Sequence, residues 1–169
     1  MRKLHKRYSR PRKKYDLRRI DEERDTKKKY GLKNKKELWK AGSYIARLRN
    51  QAKELLVASE EEKRGFLNKL ERLGLIGKDS GLDDVLALNS INLLDRRLQT
   101  MLVKKNIAKT SGEARQMIVH KRIIVNDNVI NVPSYIVPKS FEDKLRIKLR
   151  KEKTEKAPEQ SKSGHGEIK

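Results

Sequence analysis

Between His120 and Ile123 the hydrophobic period of this chain changes from that of a helix to that of a strand, which places two helices ahead of a β-rich stretch. Upstream, Leu94, Leu98, Met101 and Leu102 recur at i, i+4, i+7 and i+8, which predicts one helical stripe. Thr110-Ser111-Gly112-Glu113 has capping-box spacing, and Ala114, Met117 and Ile118 follow as the apolar face of a second helix. Downstream, Ile123-Ile124-Val125 and Val129-Ile130-Asn131-Val132 are β-branched runs joined by the turn signal Asn126-Asp127-Asn128, and Pro133 ends the second. Leu145, Ile147 and Leu149 alternate with Lys144, Arg146, Lys148 and Arg150, the pattern of a strand with one apolar and one basic face.

The rest reads as helical. Leu38, Ala41, Ile45, Leu48, Ala52 and Leu55 recur at steps of three and four behind an Asn34–Glu37 capping-box pair, predicting a long amphipathic helix. Ser59-Glu60-Glu61-Glu62 fits another capping box, with Phe66, Leu67, Leu70 and Leu73 as the buried face and Gly74 as the stop. Leu82 to Leu88 reads as a short helix, and Ser90 as the cap of the helix that enters the module. Residues 16–29 suit a polar helix in which only Leu17 and Ile20 can pack. Residues 1–15, broken by Ser9-Arg10-Pro11-Arg12, are expected to be disordered alone and to order on a partner, and 151–169 to form a disordered tail. The expected architecture is α+β: a basic arm and polar helix (1–30), a helical domain (31–93), an inserted module of two helices and a small antiparallel sheet with the following strand (94–150), and the tail.

Charge limits the function classes. The 169 residues carry a net +21, distributed as +12 over 1–40, −1 over 41–95 and +9 over 96–150. Two basic regions flanking a neutral middle suit a polyanionic partner, of which nucleic acid is the commonest. No stretch combines a basic face with a strong apolar one, which argues against a membrane surface. Without cysteine there is no disulfide and no thiolate metal site. No apolar segment follows the basic N-terminus and no run approaches the length of a membrane span, so a cytoplasmic location is expected. Gly77-Lys78 fails the phosphate-loop pattern because Arg72 stands where glycine is required. His5, His120 and His165 form no metal-ligand pair, and Asp83-Asp84 reads as helix-start charge. Neither a cofactor nor a catalytic role is expected.

The stretch from Arg96 to Val137, RRLQTMLVKKNIAKTSGEARQMIVHKRIIVNDNVINVPSYIV, closely resembles the S-four RNA-binding domain. Tyr30-Gly31-Leu32-Lys33-Asn34-Lys35-Lys36-Glu37-Leu38-Trp39, the helix ending Arg47-Leu48-Arg49 and Leu88-Asn89-Ser90-Ile91 extend the likeness. They resemble the small-subunit ribosomal protein S-four family in its archaeal and eukaryotic form. The resemblance implies a structural ribosomal protein that binds small-subunit ribosomal RNA directly and early in assembly, at a multi-helix junction. It also implies a contact with the neighbouring protein S-five and an influence on decoding accuracy.

It further implies that the module helices present their polar flanks to RNA through Arg97, Lys104, Arg115, Gln116, His120, Lys121 and Arg122. Arg47 and Arg49 lie off the stripe of the long helix. Lys33, Lys35 and Lys36 match the basic residues that line the messenger-RNA entry path. Thr110 and Ser111 begin a helix whose free amides suit a phosphate, although Glu113 occupies that positive end and favours a capping role. The alternative for Arg97 and Arg115 is a surface ion pair, and His120 divides between RNA contact and a structural hydrogen bond. Lys121 and Asp127 stand where the family pattern usually has glycine. With few aromatic residues, phosphate contacts and RNA shape suit the chain better than base stacking.

Three rivals compete. An RNA-modifying enzyme carrying this module needs a larger and less basic catalytic domain than residues 1–95 provide. A free RNA-binding stress or ribosome-rescue protein would lack the Tyr30 motif. A histone-like DNA binder is disfavoured by the module pattern.

Overall fold

A computed structural model describes residues 7–148. The helices are α1 (Leu17–Lys29), α2 (Lys35–Leu55), α3 (Glu60–Arg72), α4 (Leu82–Ala87), α5 (Ser90–Asp95), α6 (Leu98–Lys104) and α7 (Ser111–Val119). The strands are β1 (Ile123–Val125), β2 (Asn128–Val129) and β3 (Leu145–Ile147), with a 3-10 turn at Lys139–Phe141. The sheet is antiparallel in the order β2-β1-β3, with Val125 opposite both Asn128 and Leu145. The fold is therefore α+β.

Buried side chains gather in two clusters. The α2 stripe of Ala41, Ile45, Leu48 and Ala52 packs with Leu70, Leu75, Val85, Leu88, Leu93 and Leu94. Leu98, Met101, Leu102, Ala114 and Ile118 pack with Ile123, Val125, Val137 and Leu145. The chain passes from one cluster to the other at Arg96-Arg97, and there the predicted single stripe is corrected. All four of its apolar residues are buried, but they belong to two helices. Arg97 is extended, at φ −70° and ψ 143°, and pairs as a lone bridge with Ile136. Leu98 N–H donates to Tyr135 O at 2.7 Å and Val137 N–H to Arg96 O at 2.9 Å. Pairing with residues 135–137 satisfies backbone groups that a continuous helix would have bonded internally.

Helices α1, α3, α6 and α7 stop in one way. Gly31, Gly74, Asn106 and Lys121 adopt φ of 57°, 67°, 56° and 57°. The next amide then reaches back five residues: Leu32 to Lys27 O, Leu75 to Leu70 O, Ile107 to Leu102 O and Arg122 to Met117 O. This closure satisfies the last carbonyls. Asn126 and Asp127 also have positive φ, 47° and 65°, as a two-residue hairpin loop between paired strands requires. Lys121 and Asp127 thus hold the left-handed backbone that glycine adopts without a Cβ penalty. Lys121→Gly should gain about 0.5–1 kcal/mol, the left-handed cost of a side chain less the entropy of glycine. Urea unfolding with an unchanged slope would measure it; a loss of stability would contradict the strain.

Other expectations change in detail. Asn34 and Ser59 precede α2 and α3, but neither side chain makes a capping bond. Glu37 is drawn instead to two arginines, described below. Asn89, not Ser90, precedes α5. The second β-branched run pairs only at Asn128–Val129, because Pro133 follows and the chain turns away. In β3, Leu145 is buried and Arg146 exposed, but Ile147 remains 46% exposed at the end of the sheet. Leu149 and the predicted tail lie outside the described residues, as do residues 1–6. In the arm expected to be disordered, Tyr8 and Ser9 contact α2: the Tyr8 and Trp39 rings lie 6.1 Å apart and Ser9 N–H donates to Ser43 Oγ at 3.0 Å. Leu17, expected to pack, is exposed, and α1 is anchored by a buried carboxylate instead. Glu23 accepts from Arg19 at 2.6 Å and from Trp39 Nε1 at 3.0 Å, and pairs with Lys35 at 3.1 Å. Burial pushes its carboxyl up, but these three partners outweigh burial and hold it below the usual range.

Candidate nucleic-acid interface

Along α2, Glu37, Lys40, Tyr44 and Arg47 recur at steps of three and four, a polar stripe beside the apolar one. Where this stripe faces α5, α7 and the 133–136 segment, the chain forms a cleft of about 480 Å³. Its walls are Tyr44, Leu93, Leu94, Pro133 and Ile136. Its charged groups are Arg7, Lys40, Arg47, Arg97 and Arg115, against the single acid Glu37.

Arg97 is the first correction here. Its side chain is only 7% exposed and donates to Glu37 Oε2 at 2.6 Å, so it does not stand on an open flank. Arg115, half-buried, reaches the other carboxylate oxygen at 3.4 Å. One carboxylate thus serves two guanidiniums, one ahead of α6 and one on α7. Burial raises the Glu37 carboxyl, while the hydrogen bond and charge of Arg97, then those of Arg115, outweigh it and hold the group below the usual range. Arg97 Nε and Arg115 Nη1 are buried without partners. The excess of cationic side chains lining the cleft suits an anion, phosphate above all.

The remaining sequence candidates are spread over several places. Arg47 is exposed on the cleft rim, 5.8 Å over the Tyr44 ring. Gln116, His120, Lys121 and Arg122 lie exposed together at the end of α7, with His120 Nε2 and Gln116 Oε1 3.1 Å apart. Lys104 is half-exposed and pairs with Asp95 at 3.5 Å. Asp95 also accepts from the Tyr30 hydroxyl at 3.0 Å, and burial together with this acid pushes that phenol up to about 12. Lys33 and Lys36 are exposed at the start of α2, but Lys35 is committed to Glu23. Arg49 is turned inward and donates to Leu88 O, joining α2 to the α4–α5 turn. Thr110 caps α7, its oxygen accepting from Glu113 N–H at 3.2 Å, while the Glu113 carboxylate takes the Lys109 amide instead of reaching Thr110. Ser111 is half-buried, and its carbonyl accepts from Gln99.

Lys40 and Arg7 did not stand out in the sequence. The Glu37-Lys40-Tyr44-Arg47 period was the available signal for Lys40; nothing local marked Arg7. Gln99, 1% exposed, also escaped notice, although it ties the Gly31 carbonyl at 3.1 Å to that of Ser111 at 2.7 Å. Among the described residues, no acidic or histidine group could hold a metal ion, and no helix is long and apolar enough to cross a membrane.

A helix pair closed by a small antiparallel sheet, with cationic side chains on its rim, is an S4 domain; the model of that family matches residues 96–142. The likeness to known proteins runs well beyond it. The small ribosomal subunit protein uS4 of Picrophilus torridus is 44% identical over 147 residues, 83% of this chain and 80% of the relative. That of Nanoarchaeum equitans is 48% identical over 126 residues, 71% and 70% of the two chains. That of Methanococcus aeolicus is 43% identical over 149 residues, 85% and 84%. The chain belongs to the family of small ribosomal subunit protein uS4.

Proposed function

We infer that this chain is a structural constituent of the small ribosomal subunit, binds that subunit's ribosomal RNA directly and performs no catalysis. The supporting observation is the cleft between α2 and the module, lined by five cationic side chains against one carboxylate that only Arg97 and Arg115 contact. Phosphodiester groups complete such a site. The exposed cluster at Gln116, His120, Lys121 and Arg122 supplies a second contact, and Lys104 a further cation. Binding early in assembly, at a multi-helix junction, suits a chain that presents two cationic surfaces. A contact with protein S-five, an effect on decoding accuracy and a messenger-RNA contact through Lys33 and Lys36 belong to the same reading. So does a cytoplasmic location on the ribosome.

Binding to a small-subunit ribosomal RNA transcript should weaken linearly on a log–log plot against salt, each neutralised phosphate adding about 0.7–0.9 to the slope. Lys121→Gly should bind with a slope lower by about that increment although it melts higher. Filter binding between 50 and 200 mM salt, roughly the range over which such contacts are lost, measures both; a nearly salt-independent affinity contradicts the phosphate reading. Sucrose-gradient fractionation of lysate tests the setting. Co-migration with small subunits is expected, whereas a predominantly free pool would favour the stress or rescue protein.

A further inference from the structure

We propose that Tyr15 is a stacking platform for an unpaired RNA base, presented by a turn that the protein holds in place before RNA arrives. The inference rests on the RNA-binding reading above but concerns a different mode of contact and a segment outside the matched domain. Tyr15 is 89% exposed and its neighbour Leu17 75%. Their exposure is not that of a loose end. Arg19 Nη2 donates to the carbonyls of Lys13 and Lys14, each at 3.0 Å, and closes the turn that carries Tyr15. Arg19 is fixed in its turn by Glu23, the buried carboxylate that Trp39 and Lys35 also hold. A chain of polar contacts therefore runs from α2 through α1 to the turn, and its far end displays an aromatic ring to solvent.

Such a ring contributes nothing to the protein's own core. With its backbone already ordered, it gives up little further entropy on binding, so most of the stacking free energy appears as affinity. The surroundings select the partner. Lys13, Asp16, Leu17 and Arg18 line the shallow concavity around the ring, and Arg10, Arg12 and Lys14 extend the positive field around the one carboxylate. An aromatic face within cations suits a base flanked by phosphates.

Affinity for a small-subunit ribosomal RNA transcript, measured across a salt series, separates stacking from charge. Tyr15→Leu should bind about 5- to 100-fold more weakly at every salt concentration with the slope unchanged, since stacking releases no counterions. Tyr15→Phe should bind within about twofold of the parent, because its ring stacks as well. Lys13→Gln should show the opposite pattern, a lower slope. Circular dichroism melts should leave the Tyr15 variants unchanged, as the side chain touches nothing that folding needs. Irradiation of the complex should attach a nucleotide to the peptide containing Tyr15. Equal binding by the leucine variant overturns the proposal and marks the patch as an apolar protein-docking surface. A loss confined to the slope overturns it in favour of a purely electrostatic arm. Failure of the parent protein itself to bind RNA would instead refute the underlying function.

Discussion

Arg96→Ala should unfold about 3–4 kcal/mol more easily than the parent, the larger of the two effects expected on stability. Arg96 is 14% exposed at its side chain and spends its guanidinium on three elements. Nε donates to Leu73 O at 3.1 Å, Nη2 to Val137 O at 2.8 Å, and Nη1 pairs with Glu142. It thereby joins the end of α3 to the segment that closes the module. Truncation leaves two carbonyls short of a donor and a part-buried carboxylate short of its cation, and breaking a buried pair on one side costs about 3–5 kcal/mol. The partial exposure of Glu142 places the value at the lower end. In a chain of this size the melting temperature should fall by roughly 6–16 °C. Arg96→Lys should recover little, since an ammonium cannot span three divergent acceptors. A melting loss under 2 °C for the alanine variant would show that the latch is redundant.

Gly31→Ala should cost about 3 kcal/mol, an effect out of proportion to one methyl group. The residue sits at φ +57°, where a side chain costs about 1–2 kcal/mol. A Cβ there would stand 2.6 Å from Ser111 Oγ and 2.7 Å from Gln99 Nε2. Gln99 is nearly inaccessible and holds the carbonyls of Gly31 and Ser111 together, so displacing it strains the contact between the end of α1 and the start of α7. Gly42 is the internal control. A Cβ at that position of α2 meets nothing within 4 Å, so Gly42→Ala should stabilise by up to about 1 kcal/mol through helix propensity. Chemical denaturation of the two variants should give opposite signs. Similar small effects would mean that the Gly31 region relaxes without resisting.

What could be read in advance followed from periodicity. The α2 stripe, the two module helices, β1 and the stop at Gly74 are set by local spacing, and local spacing is visible in a chain. The break at Arg96-Arg97 was not legible, because its cause is a pairing with residues 135–137 that are far away in sequence. The flank assignment of Arg97 failed for the same reason: its partner is Glu37, 60 positions earlier. Glu37 itself looked like a capping residue, and a tertiary attraction to two guanidiniums outweighed that local role. Arg115, Arg47 and the Gln116–Arg122 group were legible as polar flank residues. Their division between a cleft and an open surface depends on how the module sits against α2, which no window of sequence encodes.

The shared carboxylate of Glu37 also bears on how portable the module can be. The S4 domain begins at residue 96, yet the anion that neutralises two of its arginines is supplied by the host helix. Excised or grafted elsewhere, the module would carry those cations uncompensated, and it would have to exchange them for neutral residues or find a new acid at the same height on a new helix. Its sequence boundary and its electrostatic boundary do not coincide. Recombination between hosts is therefore constrained less by the loops at the junction than by one glutamate 59 residues before the domain starts.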